Sequence, residues 1–106
     1  MSESKLQNKC MKWVRGELPD AFHVKLSDRY NSGILDTLHV IDGTVYFIEL
    51  KVPGKKPSKL QAHTIKVLNE NGGKWVGSDP PRQLKTVVAT WVDNFEDFKT
   101  VFERSI

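Results

Sequence analysis

The stretch Gly33-Ile34-Leu35-Asp36-Thr37-Leu38-His39-Val40-Ile41-Asp42-Gly43-Thr44-Val45-Tyr46-Phe47-Ile48-Glu49-Leu50-Lys51 decides how this chain is read. Ile34 to Ile41 and Thr44 to Val52 are strand-like runs, and Asp42-Gly43 stands between them. Asp-Gly in that setting favours a two-residue hairpin turn, because glycine takes positive φ without steric cost. With those residues at the tip, Ile41 pairs with Thr44 and Val40 with Val45. Counting on down the ladder brings Asp36 opposite Glu49. Opposed residues of an antiparallel pair share a face, with Cβ atoms about 4.5–5.5 Å apart. Lys51, two residues beyond Glu49, projects from that face as well. The register holds provided no bulge interrupts it. Leu38, Val40, Val45 and Phe47 lie on the same face, so the two carboxylates are expected at the end of a core-facing surface.

Outward from the hairpin the pattern is mixed. Ser2 or Ser4 to about Leu18 reads as a helix, with Leu6, Cys10, Trp13, Val14 and Leu18 on one side. Pro19 and Asp20 end it. Residues 22 to 27 alternate as a short strand, and Asp28 to Gly33 form a polar loop. Pro53-Gly54 closes the second hairpin strand. Ser58 opens a helix to about Asn71, with Leu60, Thr64, Val67 and Leu68 near one face, and Gly72-Gly73 stops it. Lys74 to Gly77 and Thr86 to Val92 look like strands, and Asn94 to about Arg104 like an amphipathic helix carrying Phe95, Phe98, Val101 and Phe102. The order is α-β-β-β-α-β-β-α, an α/β class with a small mixed sheet flanked by helices.

A chain of 106 residues suits one domain spanning 1–106. Its 39% hydrophobic and 27% charged residues are ordinary for a globular protein. No run approaches the roughly 18 apolar residues that would span a bilayer, so no membrane partner is expected. Met1-Ser2-Glu3-Ser4-Lys5 has no apolar core of a secretion signal, which makes a cytoplasmic location the expectation, in a bacterial or an infected host cell. A single cysteine, Cys10, excludes an internal disulfide and a cysteine-based zinc cluster; a small buried apolar residue is the preferred reading of it. The net charge of +3 permits contact with phosphate without demanding it. Its distribution says more: Lys51-Val52-Pro53-Gly54-Lys55-Lys56-Pro57-Ser58-Lys59 has four positive charges and no negative one. A solvated loop is the bland reading of that run.

Two carboxylates this close repel and raise each other's pKa unless a positive charge compensates. Carboxylate oxygens suit Mg²⁺ or Mn²⁺ in that role. Lys51 can supply part of the compensation, and an Asp/Glu/Lys cluster without metal stays open on spacing alone. Ser58-Lys59-Leu60-Gln61 fits a capping box, in which Gln61 returns to the Ser58 backbone N–H. His23, His39 and His63 lack metal-site spacing and read as surface or satisfied core histidines. Trp13, Trp75 and Trp91 sit in apolar patterns and read as core.

Gly33-Ile34-Leu35-Asp36, then Ile48-Glu49-Leu50-Lys51, then Gln61 in a following helix, resembles the PD-(D/E)xK nuclease superfamily. Within it the chain is similar to the virus-type replication–repair nuclease (VRR-NUC) domains, many of them stand-alone phage proteins, over about residues 2 to 73. Leu35 stands where that family often has proline. The resemblance implies a restriction-endonuclease-like fold and a metal-dependent DNA endonuclease. Asp36 and Glu49 would ligate Mg²⁺ or Mn²⁺, with the Leu50 carbonyl as a further ligand. Lys51 would orient or activate the attacking water and stabilise charge on the phosphate. Gln61 would act near Lys51, and Glu3 would be the helix-borne acid. A first-turn Glu that complements the helix dipole is the plainer reading of Glu3. Lys25, Arg29, Lys55, Lys56 and Lys59 would contact DNA phosphates.

The resemblance also implies structure-selective cleavage, of branched DNA or four-way (Holliday) junctions, and a possible homodimer. Phe95, Phe98, Val101 and Phe102 suit either a dimer contact or the sealing of the core. A non-catalytic DNA-binding module of the same fold is the competing reading, and an intact Asp36, Glu49, Lys51 set weighs against it. A small adaptor with an accidental cluster would require the whole ordered series to be chance.

Overall fold

The computed structural model describes residues 2–26, 33–71 and 87–103. Helix α1 (Glu3–Glu17) starts at Ser2, whose Oγ accepts a hydrogen bond from the Lys5 N–H at 3.2 Å. It is followed by β1 (Phe22–Lys25), β2 (Thr37–Ile41), β3 (Thr44–Leu50), α2 (Lys59–Asn71), β4 (Val87–Val92) and α3 (Phe95–Val101). The sheet runs β1-β2-β3-β4, antiparallel through β3 and parallel between β3 and β4. Two parallel neighbours need a crossover connection, and α2 lies in it. Lys74 to Gly77, the loop from 28 to 32, Trp75, Arg29 and Arg104 lie outside the described residues. Among the described residues, no helix is long and apolar enough to cross a membrane.

The hairpin has the expected register. Asp42 has φ 45° and Gly43 φ 82°, the two positive values that a type I′ turn requires. Ile41 pairs with Thr44, and the ladder continues without a bulge to Thr37 opposite Ile48. Both strands are shorter than expected at their far ends, for a reason that belongs to the site.

The core is not where the carboxylate face led us to expect it. Thr37, His39 and Ile41 of β2, with Tyr46, Ile48 and Leu50 of β3, are buried under α1 and α3. Alternation puts Asp36, Leu38, Val40, Val45, Phe47 and Glu49 on the other face, where Leu38, Val45 and Phe47 are half-buried and Val40 is exposed. The hairpin is apolar on both faces, so its pattern alone could not say which face the helices cover. Tyr46 and His39 decide it, because both find partners inside. Tyr46 lies 4.9 Å from the Phe102 ring, and His39 5.1 Å from the same ring. His39 Nδ1 meets His23 Nδ1 at 2.8 Å, His39 Nε2 meets Thr37 Oγ1 at 2.9 Å, and His23 Nε2 meets the Leu18 carbonyl at 2.8 Å. Burial, with His23 and Arg15 nearby, pushes His39 down to about 3, so it is a neutral, satisfied core histidine.

Leu6, Cys10, Met11 and Val14 form the buried stripe of α1. Burial pushes the Cys10 thiol up to about 12, which makes it inert. In α3, capped by Asn94 Oδ1 accepting from the Asp97 N–H at 2.8 Å, Phe98 and Phe102 are fully buried. The Trp13 ring packs 6.2 Å from both Phe95 and Phe98. Phe98 and Phe102 seal the core, while Phe95 and Val101 stay half-buried.

Helix α2 turns differently from its apolar pattern. Leu60 and Val67 are exposed, while Gln61, Thr64, Ile65 and Leu68 are half-buried. One residue explains the rotation. Asn69 donates from Nδ2 to the Ala89 carbonyl at 2.9 Å, and its Oδ1 accepts from the Ala89 N–H at 2.8 Å. Its carboxamide thus takes the place of a further strand along the outer edge of β4.

Candidate active site

Asp36 stands where the regular pairing of β2 and β3 gives out. The next step of the ladder would join Leu50 to Leu35; instead the Leu50 N–H donates to Asp36 Oδ2 at 2.8 Å. The Asp36 carbonyl accepts from the Leu26 N–H at 2.8 Å, which ties its backbone toward β1. Its carboxylate is thereby held across the hairpin. On the other side of β3 the parallel ladder runs on, with the Lys51 N–H donating to the Val92 carbonyl at 2.9 Å. Backbone pairing with β4 therefore holds the Glu-x-Lys segment while its β2 side faces Asp36.

Glu49 is only 1% exposed, although it is ionisable. Its Oε2 lies 3.3 Å from Lys51 Nζ, whose side chain is 18% exposed. Among the described residues, its Oε1 is buried without a hydrogen-bond partner. Burial first, then a hydrogen bond with the adjoining Asp36 carboxyl and the repulsion of its charge, push the Glu49 carboxyl up to about 8 against the opposing pull of Lys51. Without a cation, Glu49 therefore keeps its proton at neutral pH. An orphaned acceptor beside a second carboxylate is a costly arrangement unless something positive is meant to sit there.

The donor set suits a hard divalent cation. Two carboxylates offer oxygen, and the Leu50 carbonyl lies on the same side of the extended strand as its N–H, toward Asp36. Mg²⁺ prefers oxygen ligands and commonly keeps several waters, so a sparse protein set is adequate. Among the described residues, no three of His, Cys, Asp and Glu are grouped to hold a metal. Glu3 is accordingly not gathered into the pair; it sits half-buried in the first turn of α1, where it complements the dipole.

The other candidates divide. Gln61 makes the capping box: its Oε1 accepts from the Ser58 N–H at 2.9 Å, and its own N–H donates to Ser58 Oγ at 3.1 Å. That commits the amide oxygen the catalytic reading needed, so the cap prevails for that atom. Lys55, Lys56 and Lys59 are exposed and follow a turn in which the Lys55 N–H donates to the Val52 carbonyl at 3.0 Å. Gly54, φ 86°, supplies the positive φ of that turn. The loop leaves β3 just past Lys51, so its charges begin beside the site. Lys25 is a correction: it pairs with Thr37, shares the core-side face, and donates to Asn8 Oδ1 of α1 at 2.7 Å. It is held on the face away from Glu49. Arg29 lies outside the described residues.

Trp91, expected in the core, is 37% exposed. It is the parallel partner of Glu49 and shares its face. Its strand alternation was legible, but its neighbour across the sheet was not.

No family model matches the sequence, and no curated protein matches it. Among solved structures, one described as a VRR_NUC domain superimposes with a TM-score of 0.70 at 21% identity, covering 98% of this chain and 97% of that one. The likeness runs the length of both chains and establishes the fold: this chain has the mixed α/β architecture of a VRR-NUC domain, of the restriction-endonuclease-like kind.

Proposed function

We propose that the chain is a divalent-metal-dependent deoxyribonuclease that hydrolyses phosphodiester bonds at Asp36, Glu49 and Lys51. One observation carries this reading: a buried glutamate with an unpartnered oxygen is set beside an aspartate and 3.3 Å from a lysine, on a VRR-NUC fold. A structural ion pair would not leave one carboxylate oxygen buried and unmet.

Asp36 and Glu49, with the Leu50 carbonyl, would hold Mg²⁺ or Mn²⁺. When bound, such a cation polarises the phosphoryl oxygen and lowers the pKa of water. The residues of the chain do the rest. Asp36 is fixed by the Leu50 N–H. Lys51 places an ammonium where negative charge develops on the phosphate, and the low exposure of the pair strengthens that attraction. Lys55, Lys56 and Lys59 would meet backbone phosphates beside the cut. Ser58 and Gln61 would act through the start of α2, by fixing how the basic loop returns to the helix.

The finer reading is selectivity for branched DNA. The test is cleavage of labelled linear duplex, flap and four-way-junction DNA with Mg²⁺, Mn²⁺ or EDTA, comparing wild type with Asp36→Asn and Lys51→Ala. Metal-dependent cleavage lost in both variants supports the assignment, and the ranking of substrates tests the selectivity. Binding without cleavage under every metal condition would make the chain a non-catalytic DNA-binding module.

A further inference from the structure

Trp91 is a large, part-exposed aromatic side chain that the sheet places beside Glu49. In the parallel pair of β3 and β4, Glu49 is matched to Trp91 and Phe47 to Ala89, so these four share one face. Neighbouring strands lie about 4.8 Å apart. The indole therefore begins within about one to two base steps of the carboxylates, at roughly 3.4 Å per step along a nucleic-acid strand. Ala89 on that face is buried, whereas Trp91, two residues on, is 37% exposed. The contrast with Trp13 is instructive. Trp13 is walled in by Phe95, Phe98 and Phe102, with ring centroids 6.2–6.3 Å away. Trp91 makes no ring contact among the described residues. Trp91 is thus left part-open beside Glu49, with no protein ring stacked on it among the described residues.

We infer that Trp91 is the platform on which the nucleobase next to the scissile phosphate stacks, and that it selects DNA in which this base is unpaired. The inference rests on the nuclease reading above and deepens it. Bases inside a duplex are already stacked on both sides, so a protein ring meets a base face only where a neighbour has been lost. Flaps and single strands offer such a base; an intact linear duplex does not. Stacking is sequence-tolerant, because every base has a π-face, so Trp91 would confer a preference for DNA shape without a preference for sequence. The lysines of 55–59 then supply affinity for any phosphate backbone, and Trp91 supplies the discrimination.

The experiment measures affinity in EDTA, where no metal-dependent cleavage intervenes, by anisotropy of a labelled single strand, a labelled flap and a blunt linear duplex. Wild type, Trp91→Ala and Trp91→Phe are compared. Trp91→Ala should weaken binding of the single strand and the flap by about ten-fold and of the blunt duplex by less than about two-fold, with Trp91→Phe recovering most of the difference. Wild-type tryptophan emission should be quenched by the single strand, and that quenching should shrink in Trp91→Phe, which keeps an aromatic ring and the packing. If Trp91 only walls Glu49 from water, Trp91→Ala will shift the pH dependence of Mn²⁺ binding and change all three DNAs equally; that outcome overturns the inference. An unchanged ratio between flap and duplex, in a wild type that does cleave DNA, overturns the inference and leaves the nuclease standing. A wild type that neither binds nor cleaves any of the three overturns both.

Discussion

Replacing Glu49 by Gln keeps the volume of the side chain and removes its charge, which isolates the electrostatics of the site. In the wild type without metal, burial and Asp36 hold this carboxyl at about 8 instead of 4.5. Over that interval the folded chain keeps a proton that the unfolded chain has released. The associated stability is therefore fully present below about pH 4.5 and is lost as pH rises through about 8. At about 1.4 kcal/mol per pH unit, ionised Glu49 removes at most on the order of 5 kcal/mol. Relaxation around a buried charge reduces that ceiling, and a gain of about 2–5 kcal/mol for Glu49→Gln at about pH 8.5 is the expectation. His39 runs the other way: it is held low, so its stability is present above about 6.5 and is lost as pH falls. The clean window for Glu49 thus lies above about pH 6.5. Urea unfolding of both proteins in EDTA, from about pH 5 to about pH 8.5, measures the difference. It should be near zero at the acid end and favour the variant at the alkaline end. Parallel pH profiles would refute the argument that Glu49 is a buried, proton-holding acid. Mn²⁺ should then stabilise the wild type and not the variant, with wild-type affinity rising up to about ten-fold per pH unit until about pH 8.

Asn69→Ala removes both partners of the Ala89 peptide groups and should lower stability by about 1–2 kcal/mol in urea unfolding, with Asn69→Asp intermediate because it keeps the acceptor. Gln61→Ala and Ser58→Ala should each cost about 1 kcal/mol by loss of the cap, whereas Gln61→Glu should retain it. Cleavage by Gln61→Glu then separates the roles: full activity leaves Gln61 as a cap, and lost activity at unchanged unfolding makes it part of the chemistry. Removing Lys55, Lys56 and Lys59 together should reduce the slope of log affinity against log salt by about 0.9 for each lysine that meets a phosphate. An unchanged slope would mean that DNA passes elsewhere.

Local chemistry made the hairpin legible. Asp42-Gly43 admits two positive φ values, that choice selects the turn, and the turn sets the register that faces Asp36 with Glu49. The stripe of α1 was legible for the same reason, since its period repeats within the segment. What could not be read was whatever depends on distant partners. Both hairpin faces are apolar, and only the packing of Phe102 against Tyr46 and His39 decides which one is covered. Asn69 looks like any polar residue near a helix end until Ala89, 20 positions on, is beside it. Gln61 carried two readings, and the capping bonds to Ser58 could be seen only once the helix start was in place. Alternation could not say that Lys25 would donate to Asn8 of α1, on the face away from Glu49.

The site and the ends of the ladders are one feature. Pairing of β3 with β2 stops at Ile48, while pairing with β4 persists to Leu50 and continues through the Lys51 N–H. The offset leaves β3 bonded to β4 through the Lys51 N–H while the Leu50 N–H turns to Asp36 on the other side. Had the antiparallel ladder run one step further, Leu35 would take the Leu50 N–H and carbonyl alike. The Asp36 carboxylate would then lose the donor that aims it, and a cation would lose a backbone oxygen. Ending the ladder early therefore does two things at once: it orients one acid and keeps a main-chain acceptor in reach of the other. Glu49 is buried at that end of β3, whereas Val45 and Phe47 on the same face stay half-buried. A fold that merely needed stability would extend the pairing and fill position 49 with an apolar residue. This one stops short and buries an acid with one oxygen unmet, which is the arrangement that the proposed cation-binding role calls for.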